Sequence, residues 1–260
     1  MPVANVWEAP RAGHLPLDPH VWPTSAVTYS QRLALVGHMP TQVLYGEQVL
    51  VLGRRGGWTH IAVPDQPSPL DARGYPGWVL SWQLGPALPT RARSVIVTSP
   101  TAKLSNGTEL SFGTRLPLQR RLGTVVQVDT PRGVSWLPAN AVAPAPASVV
   151  ATAKEFVGLR YLWGGLSSWG YDCSGLTWAV FRVHGITIPR DADAQYAAGT
   201  PVATSALRPG DLLFYEHPVG HVAIYAGGGR MIESPNSAST VRIVPVRTRE
   251  LVGARRFAAK

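Results

Sequence analysis

The sequence predicts an α+β protein in three parts, two small all-β units followed by a larger α+β domain, and three observations carry that prediction. Short alternating apolar and polar runs, split by Gly and Pro, fill roughly the first 140 residues. A Pro-Ala linker, Ala143-Pro144-Ala145-Pro146-Ala147, then interrupts them. Beyond it the apolar spacing turns helical and afterwards returns to that of strands, the order of an α+β domain.

Residues 1 to about 40 read as a Pro-rich lead-in and an irregular segment. From Thr41 strands are predicted at Gln42–Tyr45, Gln48–Leu52 and Trp58–Val63, with Arg54-Arg55-Gly56-Gly57 as a hairpin turn. The unit closes on Gly77-Trp78-Val79, which resembles the last strand of a bacterial SH3-like barrel. Further strands follow at Ser94–Val97, Gly113–Leu118 and Thr124–Val128, and Val134-Ser135-Trp136-Leu137 echoes Trp78-Val79-Leu80 about 60 residues later. Two tandem barrels are therefore expected, over 1–88 (with the lead-in) and 89–143, against the alternative of one larger β-domain. The third part, 147–260, should carry helices at Ser148–Gly158, Cys173–His184 and Asp191–Ala198, the last capped by Asp191 and stopped by Gly199. Strands are then expected at Asp211–Tyr215, His221–Ala226, Arg230–Glu233 and Thr240–Val246.

Composition narrows the function classes. One cysteine in 260 residues excludes an intrachain disulfide framework and a Cys-rich zinc module. No run approaches the roughly 18 apolar residues of a membrane span, and the N-terminus has neither the basic nor the apolar region of a signal peptide. A formal charge of +9 favours an anionic partner, yet the bases are scattered and no nucleic-acid motif is present. The expectation is a protein of the cytoplasm, or a secreted or wall-associated one if a signal peptide was removed, acting without nucleic acid or membrane and as a monomer.

The single cysteine, Cys173, opens a helix directly after a glycine-punctuated loop, where backbone N–H groups and the helix dipole stabilise a thiolate. A lone cysteine is otherwise most often inert core packing. A catalytic thiolate needs a base and an orienting group. Among seven histidines, His14, His20, His38 and His60 lie in the N-terminal units, His184 suits a helix end, and His217 sits in a flexible-looking loop. His221 starts a strand, which fixes its direction, and is preferred as the base. Glu233 lies 12 residues on, across Gly227-Gly228-Gly229, and an even spacing puts both on one sheet face. Spacing alone fits an ordinary surface carboxylate equally well.

Five segments in order, Tyr161-Leu162-Trp163-Gly164-Gly165, Asp172-Cys173-Ser174-Gly175, Pro189-Arg190-Asp191, Leu207–Phe214 and His221–Tyr225, resemble NlpC-type cell-wall cysteine peptidases. With two SH3-like units ahead, the chain resembles the three-domain γ-D-glutamyl-L-diamino-acid endopeptidases. The resemblance implies a papain-like catalytic domain, a murein stem peptide with a free N-terminal L-Ala as substrate, and no cofactor or metal. It further implies Cys173 as nucleophile, His221 as base, and Tyr161 as a hydroxyl that helps the Cys173 N–H hold the oxyanion. Asp172 would pair with the substrate's α-amine, Ser174, Trp163, Arg190 and Asp191 would contact substrate, and Glu47 and Tyr75 would close one end of the cleft.

Two positions depart from the pattern. Glu233 stands where this subgroup usually has His, and Ala192 follows Pro-Arg-Asp where Ser is common. Activity is expected to survive the first, with a shifted pH profile, while the second bears on substrate preference. Rival readings are a wall-binding protein with a degenerate peptidase domain, and a murein amidase or acyltransferase using the same Cys-His chemistry.

Overall fold

The computed structural model describes residues 2–10 and 27–258; His14 and His20 lie outside them. The N-terminal unit begins with β1 (Val3–Val6), α1 (Tyr29–Leu33) and β2 (Thr41–Leu44), and β1 pairs antiparallel with β2 from Val3↔Leu44 to Val6↔Thr41. The irregular lead-in expected here is thus corrected at both ends. Thr28 starts α1 with a reciprocal capping box through Gln31. A meander follows, β3 (Leu50–Arg55), β4 (Trp58–Val63) and β5 (Tyr75–Leu80), turning at Gly56 with a positive φ as the hairpin requires. Val6, Val43, Ile61, Val63, Tyr75 and Val79 form the core shared by both sheets.

The second unit contains β6 (Ser94–Ile96), β7 (Thr101–Lys103), β8 (Glu109–Ser111), β9 (Arg115–Leu122), β10 (Val125–Thr130) and β11 (Gly133–Pro138). Four of these make a sheet in the order β11-β10-β9-β6, and β7 pairs with β8 alone. That hairpin adds two strands to those expected from the sequence, and Asn106-Gly107 marks its turn.

After the linker, α2 (Val149–Lys154) is capped by Ser148, whose hydroxyl accepts from the Ala151 N–H at 3.1 Å. It ends four residues before the expected Gly158, because the Gly158 N–H bonds the Val241 carbonyl at 2.8 Å and turns the chain toward the sheet. The short pair β12 (Leu166–Ser167) and β13 (Gly170–Tyr171) leads into α3 (Cys173–Val183), and α4 (Ala192–Ala198) follows. Asp191 precedes α4 without the side-chain cap expected of it.

The remaining strands are β14 (Thr200–Val202), β15 (Leu212–Tyr215), β16 (His221–Gly227), β17 (Arg230–Glu233), β18 (Arg242–Pro245) and β19 (Leu251–Arg256). They form one sheet ordered β14-β19-β15-β16-β17-β18, antiparallel at every pairing. Helix α3 is buried along nearly its whole length and packs Leu176, Val180 and Phe181 with Phe214, Val222, Ile224 and Ile232 of the sheet. Each such side chain withdrawn from water contributes about 1.5–3 kcal/mol, which makes α3 a stiff base for the residue at its start.

Both N-terminal units reach α3 through Arg182. Its guanidinium pairs with Glu47 and Asp65 at 3.0 Å each, donates from Nε to the Gly113 carbonyl at 3.2 Å, and lies over the Trp178 ring. Arg182→Met is expected to lower unfolding stability by about 2–3 kcal/mol, measured by denaturant titration. The cost is bounded because Asp65 is half-exposed, and because burial pushes the Glu47 carboxyl up against the pull of Arg182. A loss below about 0.5 kcal/mol would show that the junction rests on apolar packing instead.

Candidate active site

Cys173 is the first residue of α3, so its N–H has no acceptor within the helix. The preceding residue, Asp172, is the N-cap and accepts from the Gly175 N–H at 2.6 Å. Glycine at 175 is required sterically, since a Cβ there would collide with the Gly165 carbonyl. The loop 161–165 is thereby pressed against the start of α3, and the Asp172 N–H bonds the Gly165 carbonyl at 3.0 Å. Gly164 has φ +68° and leaves no room for a side chain against the Met39 carbonyl, which ties the same loop to the N-terminal unit.

His221 comes from the start of β16 and Glu233 from the end of β17. Continuing the register Ile224↔Ile232 places Glu233 across from Ala223, one diagonal step from His221 on the same face. His221 Nε2 lies 2.9 Å from Glu233 Oε2, and both side chains are buried. With Nε2 committed to Glu233, Nδ1 is the nitrogen left for its hydrogen bond with Cys173. Burial alone would push the imidazole down, but the bonds to Cys173 and Glu233 outweigh it and hold it up at about 9. The other oxygen of Glu233 is held by Arg242, with Nε at 3.0 Å and Nη2 at 2.8 Å, and Arg247 Nη1 shares Oε2 at 2.9 Å. Burial would raise the Glu233 carboxyl, and the hydrogen bonds from His221, Arg242 and Arg247 instead hold it down to about 2.

On the side of Asp172 and Cys173 lies Tyr161, buried and fixed by its N–H to the Ser239 carbonyl at 3.0 Å. Burial, and then the charges of Asp172 and Cys173, push its phenol up, so it stays protonated and able to donate. Tyr75 of β5 also reaches this side. Its phenol is pushed up, chiefly by burial and then by Asp191, to whose carboxylate it donates a hydrogen bond. Burial raises the Asp191 carboxyl against the pull of Arg190 and Tyr75.

Arg190 needs correction as a substrate-contacting residue. Its side chain is fully buried. It bonds Asp172 at 2.7 and 3.1 Å, Ser174 Oγ at 2.8 Å and Thr41 Oγ1 at 2.9 Å, while its N–H meets the Pro67 carbonyl at 3.0 Å. It therefore locks the residues flanking Cys173 to the N-terminal unit and cannot touch a substrate. The Ser174 hydroxyl is buried in the same network, donating to Asp172 at 3.3 Å.

Glu47 is corrected as well. It pairs with Arg182, on the last turn of α3, and accepts from the Leu44 N–H at 2.9 Å, so it closes the junction of units and not the cleft. Trp163 is half-buried against the cluster of Trp7, Val27, Leu35 and Met39.

The residues missed in the sequence are Arg242, Arg247 and Thr41. Arg242 faces Glu233 directly in the β17–β18 register, but nothing local in the sequence marks that pairing. Among the described residues no group of three or more His, Cys, Asp or Glu is placed to hold a metal ion, and no helix is long and apolar enough to cross a membrane. The arrangement provides a thiol at a helix start, an imidazolium held by an ionised carboxylate, and two donors, the Cys173 N–H and the Tyr161 hydroxyl. That set is suited to acyl transfer through a thioester.

Residues 158–255 match the model of the NlpC/P60 family, and residues 97–143 match that of the YKFC SH3b2 domain. The chain is 38% identical over 269 residues to the gamma-D-glutamyl-L-lysine dipeptidyl-peptidase of Bacillus subtilis (strain 168), covering 93% of this chain and 90% of the relative. It is 36% identical to the protein of that name in Bacillus cereus (strain ATCC 10987 / NRS 248), over 98% of this chain and 88% of the relative. A crystal structure of an NlpC/P60 family protein from Bacillus cereus ATCC 10987 superposes with a TM-score of 0.88 at 35% identity, covering 98% of this chain and 97% of the other.

Proposed function

This chain belongs to the NlpC/P60 family of cysteine peptidases, and we propose that it hydrolyses the bond between γ-D-glutamate and a diamino acid in murein stem peptides bearing a free N-terminal L-Ala. The names of its relatives in two Bacillus species support the bond. The observation that carries the requirement for a free terminus is the N-terminal unit seated beside the cysteine, with Tyr75 against Asp191 and Thr41 against Arg190. An N-terminal unit packed against the residues beside Cys173, with Asp172 and Asp191 at that contact, fits an enzyme that measures a short distance from a terminal amine. Under the same reading the N-terminal unit is a second SH3-like barrel, divided from the next near residue 88, ahead of a papain-like domain from 147. The core that its two sheets share, Val6, Val43, Ile61, Val63, Tyr75 and Val79, supports this. The place of action under this reading is the cytoplasm, in the reuse of wall peptides.

In the reaction, the Cys173 thiolate attacks the γ-carbonyl, and the Cys173 N–H and Tyr161 hydroxyl hold the oxyanion. The His221 imidazolium gives its proton to the departing amine as the C–N bond breaks. Water, deprotonated by the neutral imidazole, then hydrolyses the thioester and frees L-Ala-γ-D-Glu. Glu233 stabilises the imidazolium throughout.

The test is digestion of L-Ala-γ-D-Glu-diaminopimelate beside its N-acetylated form and intact sacculi, with products identified by mass. Release of L-Ala-γ-D-Glu from the free peptide, with at least about 100-fold slower cleavage of the acetylated one, is expected. Cleavage confined to polymeric wall would sink this reading, and release of L-Ala from muramic acid would replace it with an amidase.

A further inference from the structure

We propose that Arg242 and Arg247 are positioning residues that hold Glu233 as a fixed anion aimed at His221, so that the third group of this site does not titrate during the reaction. The inference rests on Cys173 and His221 being the reacting pair. Glu233 is fully buried, and a buried carboxylate beside an imidazole has a competing neutral form in which it takes the proton. In that form the imidazolium needed to protonate the departing amine is lost.

The geometry blocks this form. Arg242 grips Oε1 with both Nε and Nη2, a charge-assisted contact from one guanidinium edge to one oxygen. Arg247 takes Oε2 from one side, leaving its other lone pair for Nε2 of His221. Arg247 is itself placed from two directions, with its guanidinium 4.5 Å from the centre of the Tyr215 ring and a 3.2 Å pair with Glu250.

Among the described residues, the charged and titratable groups set against Glu233 come from several elements. His221 comes from β16, Arg242 from β18, Arg247 with its partner Glu250 from the segment after β18, and Tyr215 from β15; Cys173 acts on it through His221. Glu250 is largely exposed, so solvent screens it and the two guanidiniums dominate.

Without its cations the buried carboxyl titrates at higher pH. As pH falls through that raised value Glu233 takes a proton, and the imidazolium beside Cys173 loses its counter-ion. Cys173 is the only cysteine in the chain, so its alkylation by iodoacetamide reports the charge of the pair without any substrate. This separates a failure of the inference from a failure of the proposed substrate.

The experiment is the pH dependence of that alkylation in the full chain and in R242M, R247M, the double variant and the double Lys variant. The acid limb is expected to move up by one pH unit or more in R242M/R247M, and by less in each single variant. In R242K/R247K, which keeps both charges, it should stay near the parental position. Adding the Met changes to E233Q, where nothing is left to protonate, should not move its limb. Three results would each overturn the inference: a double Met variant slowed equally at every pH, a Lys variant shifted as far as the Met one, or a shift that persists in E233Q. Should the double Met variant not fold, the two single Met variants and the double Lys variant still decide: a single variant shifted no further than the Lys one would overturn the inference.

Discussion

Cys173→Ala is expected to lower kcat/KM on the free stem peptide by a factor on the order of 10⁵ while leaving the fold intact. The two halves of that expectation have separate grounds. The structural half rests on how little the sulfur holds besides His221: its weak hydrogen bond runs 3.9 Å to the Gly220 carbonyl, and the side chain is at the edge of the core. Losing one sulfur there costs about 1 kcal/mol at most, which a thermal melt would resolve. The catalytic half rests on the pairing with His221. His221→Ala should cost nearly as much, and the double variant no more than either single, because nucleophile and base act as one unit. Losses that multiply in the double variant would mean the two residues work independently. Activity should also fall as pH rises through about 9, where the imidazolium is lost, since the departing amine then has no proton donor. Wall binding that persists in Cys173→Ala, with no turnover in the parent, would instead favour the reading of a degenerate peptidase.

The parts of this site that could be read from sequence are those whose geometry is local. A cysteine at a helix start, a histidine at a strand start and a glutamate an even number of residues away are each fixed by the period of one element or one hairpin. The structure sets Nε2 of His221 2.9 Å from Glu233 Oε2 along that diagonal. What could not be read depends on distant pairing. Strand β1 has its partner in β2, with about 35 residues between them, so its four residues carry no turn signal. Strand β19 mixes Gly253 with Arg255 and Arg256, a poor strand pattern that succeeds only because it lies between β14 and β15. The β7–β8 hairpin was a different failure, because Asn106-Gly107 is a strong local turn signal. Charged residues misled for a third reason. Composition treats Arg and Glu as surface groups, and here Arg190, Arg182 and Glu47 lie at the seams between units.

Arg190 therefore carries the other large effect. Arg190→Met is expected to lower unfolding stability by about 3–5 kcal/mol, because it strips the partner from a buried carboxylate. Asp172 would retain only the Gly175 N–H at 2.6 Å and the Ser174 hydroxyl, and Thr41 would lose its donor. For a chain of this size that corresponds to a fall of about 10 °C in Tm. Arg190→Lys should recover little, since one ammonium cannot meet both oxygens of Asp172, Ser174 and Thr41 as the planar fork does. Adding Asp172→Asn to Arg190→Met should restore part of the loss, because the amide can still cap α3 without a buried charge. A loss under about 1 kcal/mol, or no recovery in the double variant, would mean that Asp172 does not depend on Arg190. The consequence reaches the chemistry directly. Asp172, Cys173 and Ser174 are consecutive, so whatever loosens the cap moves the nucleophile, and Arg190 is what binds that turn to the N-terminal unit. A stability defect and a catalytic defect from one fully buried arginine are then one event, and they should track each other across the Lys, Met and double variants.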